Sequence, residues 1–157
     1  MLTIRLATPS DDDVLVSHYV ALWRSYGTAD HEFEPDARER TSHFLREGRA
    51  RHHLKAFIAT FDGKIVGSVC CEEPRSPYPI VLRKPVSRVG YVGSMFVEDD
   101  ARGRGIGKRL LERAIGHLRE IGCTQVVLHS STAGRPLYEG FGFGRTGEMS
   151  LSLKPGS

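Results

Sequence analysis

The chain has 157 residues, 39% hydrophobic and 26% charged, which suits a single domain (1–157) large enough to bury a core. No apolar run approaches the ~20 residues of a membrane span and the N-terminus lacks a signal-peptide pattern, so a cytoplasmic location is expected. The net charge of +3 comes without a basic stripe interleaved with aromatics, and the three cysteines and scattered histidines form neither a disulfide framework nor ligand spacings; the expectation is no nucleic acid and no metal.

In chain order, Leu2, Ile4 and Leu6 alternate with polar neighbours as a half-buried first strand. Ser10 with Asp13 signals a helix start, predicting a helix over 11–26 that buries Val14, Leu15, His18, Leu22 and Trp23 and stops at Gly27. A loop over 28–34 leads to a second helix from Pro35 or Asp36 to about Gly48. Strands over 54–61 and 64–72 flank Asp62-Gly63, a pair suited to the positive φ angles of a type I′ hairpin turn. Residues 73–87 carry four prolines and read as a loop. A fourth strand is predicted over 90–97, an amphipathic helix over 106–121 capped by Gly122, and a short buried strand over 126–128. Pro136 suits the first turn of a brief helix ending at Gly140, and alternation over 148–153 predicts a last strand.

Between the fourth strand and its helix stands Arg102-Gly103-Arg104-Gly105-Ile106-Gly107-Lys108. A glycine turn opening a helix is an anion cradle: the first backbone N–H groups have no intrahelical partner, the helix dipole adds positive potential, and glycine admits close approach. A P-loop is excluded because Gly107-Lys108 is followed by Arg109 rather than a hydroxyl. A dinucleotide fingerprint is excluded by the Gly-x-Gly-x-Gly spacing and by its place two thirds along the chain. The remaining pattern, Arg/Gln-x-x-Gly-x-Gly/Ala, is matched by 102–107 without a gap, and a strand end, a short helix bearing Tyr138 and a Gly-Phe pair follow over 128–143. In these two segments the chain resembles the GNAT superfamily of acyl-coenzyme A-dependent N-acyltransferases.

The resemblance implies an α/β (α+β) fold: a mixed, mostly antiparallel twisted sheet, helices on both faces, and fourth and fifth strands splayed around the cofactor. It implies acetyl-CoA as co-substrate, with Gly103, Gly105, Ile106, Gly107 and Lys108 on its pyrophosphate and Arg102 and Arg104 adding charge. Met95, Phe96 and Val97 stand where the family pairs strand backbone with the pantetheine arm, and Ser130, Ser131 and Arg135 where it makes further contacts to the pantetheine or the adenosine phosphate. Tyr138 is the expected general acid, since a phenol of pKa ~10 can protonate a departing thiolate of pKa ~8.5. Its lesser role would be an aromatic that only orients the sulfur.

Many members take a glutamate base from the fourth strand, and 91–97 contains no carboxylate. A water relay through Ser94 or a backbone carbonyl, or Glu72, Glu73, His31 or Glu32, are the alternatives. Trp23, Tyr26, His31, Glu32 and Tyr78 are the expected acceptor-pocket residues, from the loop between the first two helices and the proline-rich loop. The expected activity is acetyl transfer to the primary amine of a small molecule by direct attack in a ternary complex. A protein or peptide acceptor, or a non-catalytic acyl-CoA-binding module, are the competing readings, and by resemblance a homodimer is expected.

Overall fold

In a computed structural model of the chain, residues 1–74, 81–82 and 87–153 are described. Most of the proline-rich loop, including Tyr78, lies outside them. The strands are β1 (Leu2–Leu6), β2 (Lys55–Phe61), β3 (Lys64–Glu72), β4 (Val89–Val97) and β5 (Gln125–Val127). The helices are α1 (Asp12–Ser25), α2 (Ala37–Arg51), α3 (Ile106–Glu120) and α4 (Arg135–Gly140), with short 3-10 turns at Pro9–Asp11, Asp30–Glu32 and Asp99–Ala101. The sheet runs β1-β2-β3-β4-β5, antiparallel through β4, with β5 parallel to β4.

The hairpin follows from its turn. Asp62 and Gly63 both take positive φ, 48° and 81°, and Phe61 pairs with Lys64 across them. Because side chains alternate across a strand, β2 and β3 feed two cores. Phe57, Ala59, Val69 and Cys71 pack with Leu110, Leu111, Ala114 and Leu118 of α3. Ala56, Ile58 and Cys70 face the other way, onto Leu15 and Val16 of α1 and Leu45 of α2. Strands buried on both faces read as apolar runs, as β2 and β3 do.

Three expectations change. The first helix is entered by a 3-10 turn rather than capped by Ser10 and Asp13: the Asp11 carboxylate accepts the Thr8 N–H at 2.8 Å and both ends of the Arg5 guanidinium at 2.7 and 2.8 Å. An arginine on β1 thus selects the earlier carboxylate and holds Asp11 well below the usual carboxylate range. The inward face of α1 includes Val16 as well as Leu15 and His18, whereas Trp23 is 43% exposed. Over 148–153 no strand forms, and Met149, Leu151 and Leu153 are 94, 83 and 88% exposed. Alternation prepares a strand, but a ladder needs a partner, and the neighbouring β5 is only three residues long.

Candidate active site

Pairing of β4 with β5 covers Val89 to Gln125, Gly90 to Val126 and Tyr91 to Val127, and then stops. From Val92 onward the two strands splay. On its other edge β4 stays on β3, with a bulge opposite Ser68 and Cys70. Ser94 sits in this bulge at φ 53°, a left-handed backbone rare for a side-chain-bearing residue. At Gly93 a Cβ would lie 2.7 Å from the Tyr91 ring, so glycine lets that ring fold along its own strand. The splay opens a cleft of about 1170 Å³. Its walls are α1 and α2, the β4 backbone from Tyr91 to Val97, the glycine turn, and the segment from His129 to Tyr138.

Gly103 and Gly105 take φ of 75° and 73°, and Gly105 is the N-cap of α3. A Cβ at either would meet no atom within 4 Å, so the cradle is open. Gly103, Gly105, Ile106, Gly107 and Lys108 all line the cleft; the Ile106 side chain is buried in the core behind it. Arg102 is on the wall too, its Nε donating to the Val97 carbonyl at 3.0 Å and its guanidinium paired with Asp99 at 2.8 Å. Arg104 is not on the wall: its guanidinium lies 5.0 Å from the centre of the Phe61 ring, a cation–π contact that draws it away.

Met95, Phe96, Val97 and Ser94 line the cleft. Tyr138 reaches it from α4, its ring edge-on to Phe143 at 6.0 Å, and burial raises the pKa of its phenol. Ser131 is on the wall and accepts the Gly134 N–H at 3.0 Å, whereas Ser130 and Arg135 are not among the lining residues. Trp23 and Tyr26 stand on the wall with Tyr19 in an edge-on aromatic series, 6.3 and 5.8 Å between successive centres. His31 and Glu32 stay outside, in a 3-10 turn where Glu32 accepts the Ala29 N–H at 2.7 Å. Neither carboxylate at the end of β3 reaches the cleft: Glu72 borders a separate small pocket with His52, and Glu73 pairs with Arg88 at 2.6 Å.

Several wall residues have no local sequence signal. Arg40, Thr41 and Phe44 come from α2, Tyr91 from β4 and His129 from the segment just beyond β5. The Tyr91 hydroxyl is 3.1 Å from His129 Nδ1, and His129 Nε2 is 3.3 Å from Glu148 Oε1. Behind β4, the buried His18 joins Ser68 Oγ at 2.8 Å, lies 3.6 Å from Glu98, and is tilted against Phe96 with 5.0 Å between ring centres. Among the described residues no group of three or more histidine, cysteine, aspartate or glutamate side chains could hold a metal ion.

A glycine cradle at a helix N-terminus, beside a strand splayed from its parallel neighbour, is the arrangement the two sequence segments imply. The sequence matches the Acetyltransferase (GNAT) family over residues 16–143. The chain belongs to the GNAT family of acetyltransferases. Among solved structures, this GNAT domain is similar to a predicted acetyltransferase from Clostridium acetobutylicum crystallised with acetyl-CoA, at 25% identity and TM-score 0.83, covering 98% of this chain and 97% of that one. Among relatives, it is 40% identical over 63 residues to the yeast (Saccharomyces cerevisiae) N-alpha-acetyltransferase 30, covering 38% of this chain and 36% of that protein. It is 31% identical over 109 residues to glucosamine 6-phosphate N-acetyltransferase of Trypanosoma brucei, covering 67% of each. The GNAT domain thus aligns with only about a third of the yeast relative's length.

Proposed function

We propose that this GNAT acyltransferase moves an acetyl group from acetyl-CoA to the primary amine of a small molecule, by direct attack in a ternary complex. The observation that carries the reading is one cleft shared by the glycine cradle, the free edge of β4, Tyr138 and an aromatic wall. The N–H groups of the turn and the α3 N-terminus suit a pyrophosphate, with Arg102 and Lys108 beside it. The β4 backbone beyond Tyr91, with no strand partner on the cleft side among the described residues, suits the pantetheine arm and polarisation of the thioester oxygen. Tyr138 gives its proton to the departing thiolate.

At the acceptor end, Tyr19, Trp23 and Tyr26 of α1 and Phe44 of α2 offer ring faces and edges. Such a wall suits an amine with an apolar or aromatic body, and ring faces attract the ammonium itself. The likeness to the yeast N-alpha-acetyltransferase supports a second reading, a peptide N-terminus as acceptor. A thiol-release assay with acetyl-CoA tests both, run against small amines including glucosamine 6-phosphate and against short peptides. Saturable turnover of a small amine is expected; turnover of peptides alone would move the acceptor to a protein. Tight acetyl-CoA binding with no acceptor turned over would instead favour a binding module.

A further inference from the structure

Beside the cleft, at the end away from the glycine turn, the sheet carries an acid to which the chemistry above gives no task. Glu72 is the last residue of β3 and stands opposite Tyr91 of β4. Residues directly opposed in an antiparallel pair point to the same face of the sheet. Here it is the face of Cys70, two residues earlier, which packs on Leu15 and Val16 of α1 and Leu45 of α2. Glu72 thus lies one strand behind the ring at which the splay begins. It borders a pocket of about 160 Å³ with Phe44, Glu47 and His52 of the α2 side. Phe44 also lines the cleft, so the two spaces share a wall.

The pocket is electrostatically incomplete. Glu72 is partly buried, and among the described residues no hydrogen bond or salt bridge reaches its carboxylate. Desolvation raises its pKa, and the charge of His52 opposes that shift without cancelling it. The other acids nearby are engaged. Glu47 lies 3.7 Å from both Arg51 and His43 of its own helix, and Glu73 pairs with Arg88. The field of Glu72 also falls on the Tyr91 phenol, whose pKa it helps to raise. A carboxylate drawn partly out of water is costly until a cation meets it.

We propose, taking the cleft as the acetyltransferase site described above, that this pocket is a second acceptor subsite in which Glu72 pairs with a distal ammonium, so that the preferred acceptors are diamines. One nitrogen faces the thioester beyond Tyr91. The alkyl chain crosses the Phe44 ring, and the second nitrogen, still an ammonium, sits at Glu72. The aromatic residues on this path suit both parts of such a molecule, since ring faces take up methylenes and attract a cation. Glu72 also gives discrimination: it repels an acceptor whose far end is anionic and leaves a monoamine without a partner for the carboxylate.

The test compares terminal diaminoalkanes from propane to octane with monoamines of the same length. At one best length the diamine's kcat/KM should exceed the monoamine's at least ~10-fold, the worth of one charged pair. E72Q should lose about that preference, and E72K should reverse it in favour of the amino acid with its carboxylate at the far end. E72D, one methylene shorter, should move the best length upward, which a merely structural role for Glu72 would not do. No preference for diamines in the parent, or the same preference in E72Q, would overturn the subsite; a thermal melt of each variant accompanies the kinetics. If the parent acetylates no small amine, it is the functional reading that fails. Calorimetry then judges the pocket by itself, with each diamine titrated into the protein saturated with CoA. Binding to the parent and at least ~10-fold weaker binding to E72Q are expected; equal affinities, or no binding to the parent, would dismiss the subsite.

Discussion

Tyr91 stands opposite Val127 at the last paired position between two parallel strands, and the cleft begins immediately beyond that pair. The free edge of β4 should therefore be the part of the sheet that responds to a bound thioester. Acetyl-CoA is expected to slow amide hydrogen exchange over 92–97 and 103–108 while leaving the β2–β3 hairpin unchanged. Mass-spectrometric exchange with and without acetyl-CoA makes the comparison. Protection confined to the turn would keep the pantetheine arm out of the splay.

Gly105 caps α3 at φ 73°, with open space where a Cβ would stand. Gly105→Glu should therefore fold, at a backbone cost of about 1 kcal/mol, since the left-handed region disfavours side chains. Its carboxylate would occupy and repel the anion site, so acetyl-CoA affinity should drop at least ~100-fold. Calorimetry beside a thermal melt separates the two effects, and undiminished affinity would refute the cradle.

Replacing Tyr138 by phenylalanine keeps the ring packed on Phe143 and removes only the hydroxyl. As general acid, Tyr138 is worth about 100-fold in kcat with little change in the KM for acetyl-CoA. Undiminished turnover would reduce it to an aromatic that orients the sulfur.

His18 is buried beside Ser68 and Phe96, and burial pushes its pKa down. Unfolding restores the ordinary value of about 6.5, so below that pH the unfolded chain binds more protons than the folded one. The stability is complete above about pH 6.5 and is lost as pH falls toward the depressed folded value. His117, also pushed down by burial, adds to it. Urea midpoints between pH 7 and 5 should decline less steeply in His18→Gln than in the parent. Parallel profiles would mean that His18 gains its proton at no expense to the fold.

Sequence reading succeeded where the determining atoms are neighbours in the chain. Asp62-Gly63 makes its own turn, and Gly103 to Lys108 makes its own turn into α3, because each needs only local backbone freedom. It went astray where a partner elsewhere decides. With Asp11 held by the Arg5 guanidinium, a 3-10 turn rather than a Ser10 cap leads into α1, the Phe61 ring holds Arg104 off the cleft wall, and Met149, Leu151 and Leu153 alternate with no ladder to join. Carboxylates near the end of a strand looked available as bases until Glu73 proved to be held by Arg88.

The sequence by itself determined the family and the glycine turn that opens α3, because these depend on short-range spacing of glycine, basic and aromatic residues. Only the tertiary structure decided which distant side chains meet beside the cleft. Tyr91, His129 and Glu148 are separated by 38 and 19 residues, and no local pattern links them. They meet because β4 and β5 pair side by side as far as Tyr91 and Val127 and the chain returns past them after α4, a proximity set by sheet topology.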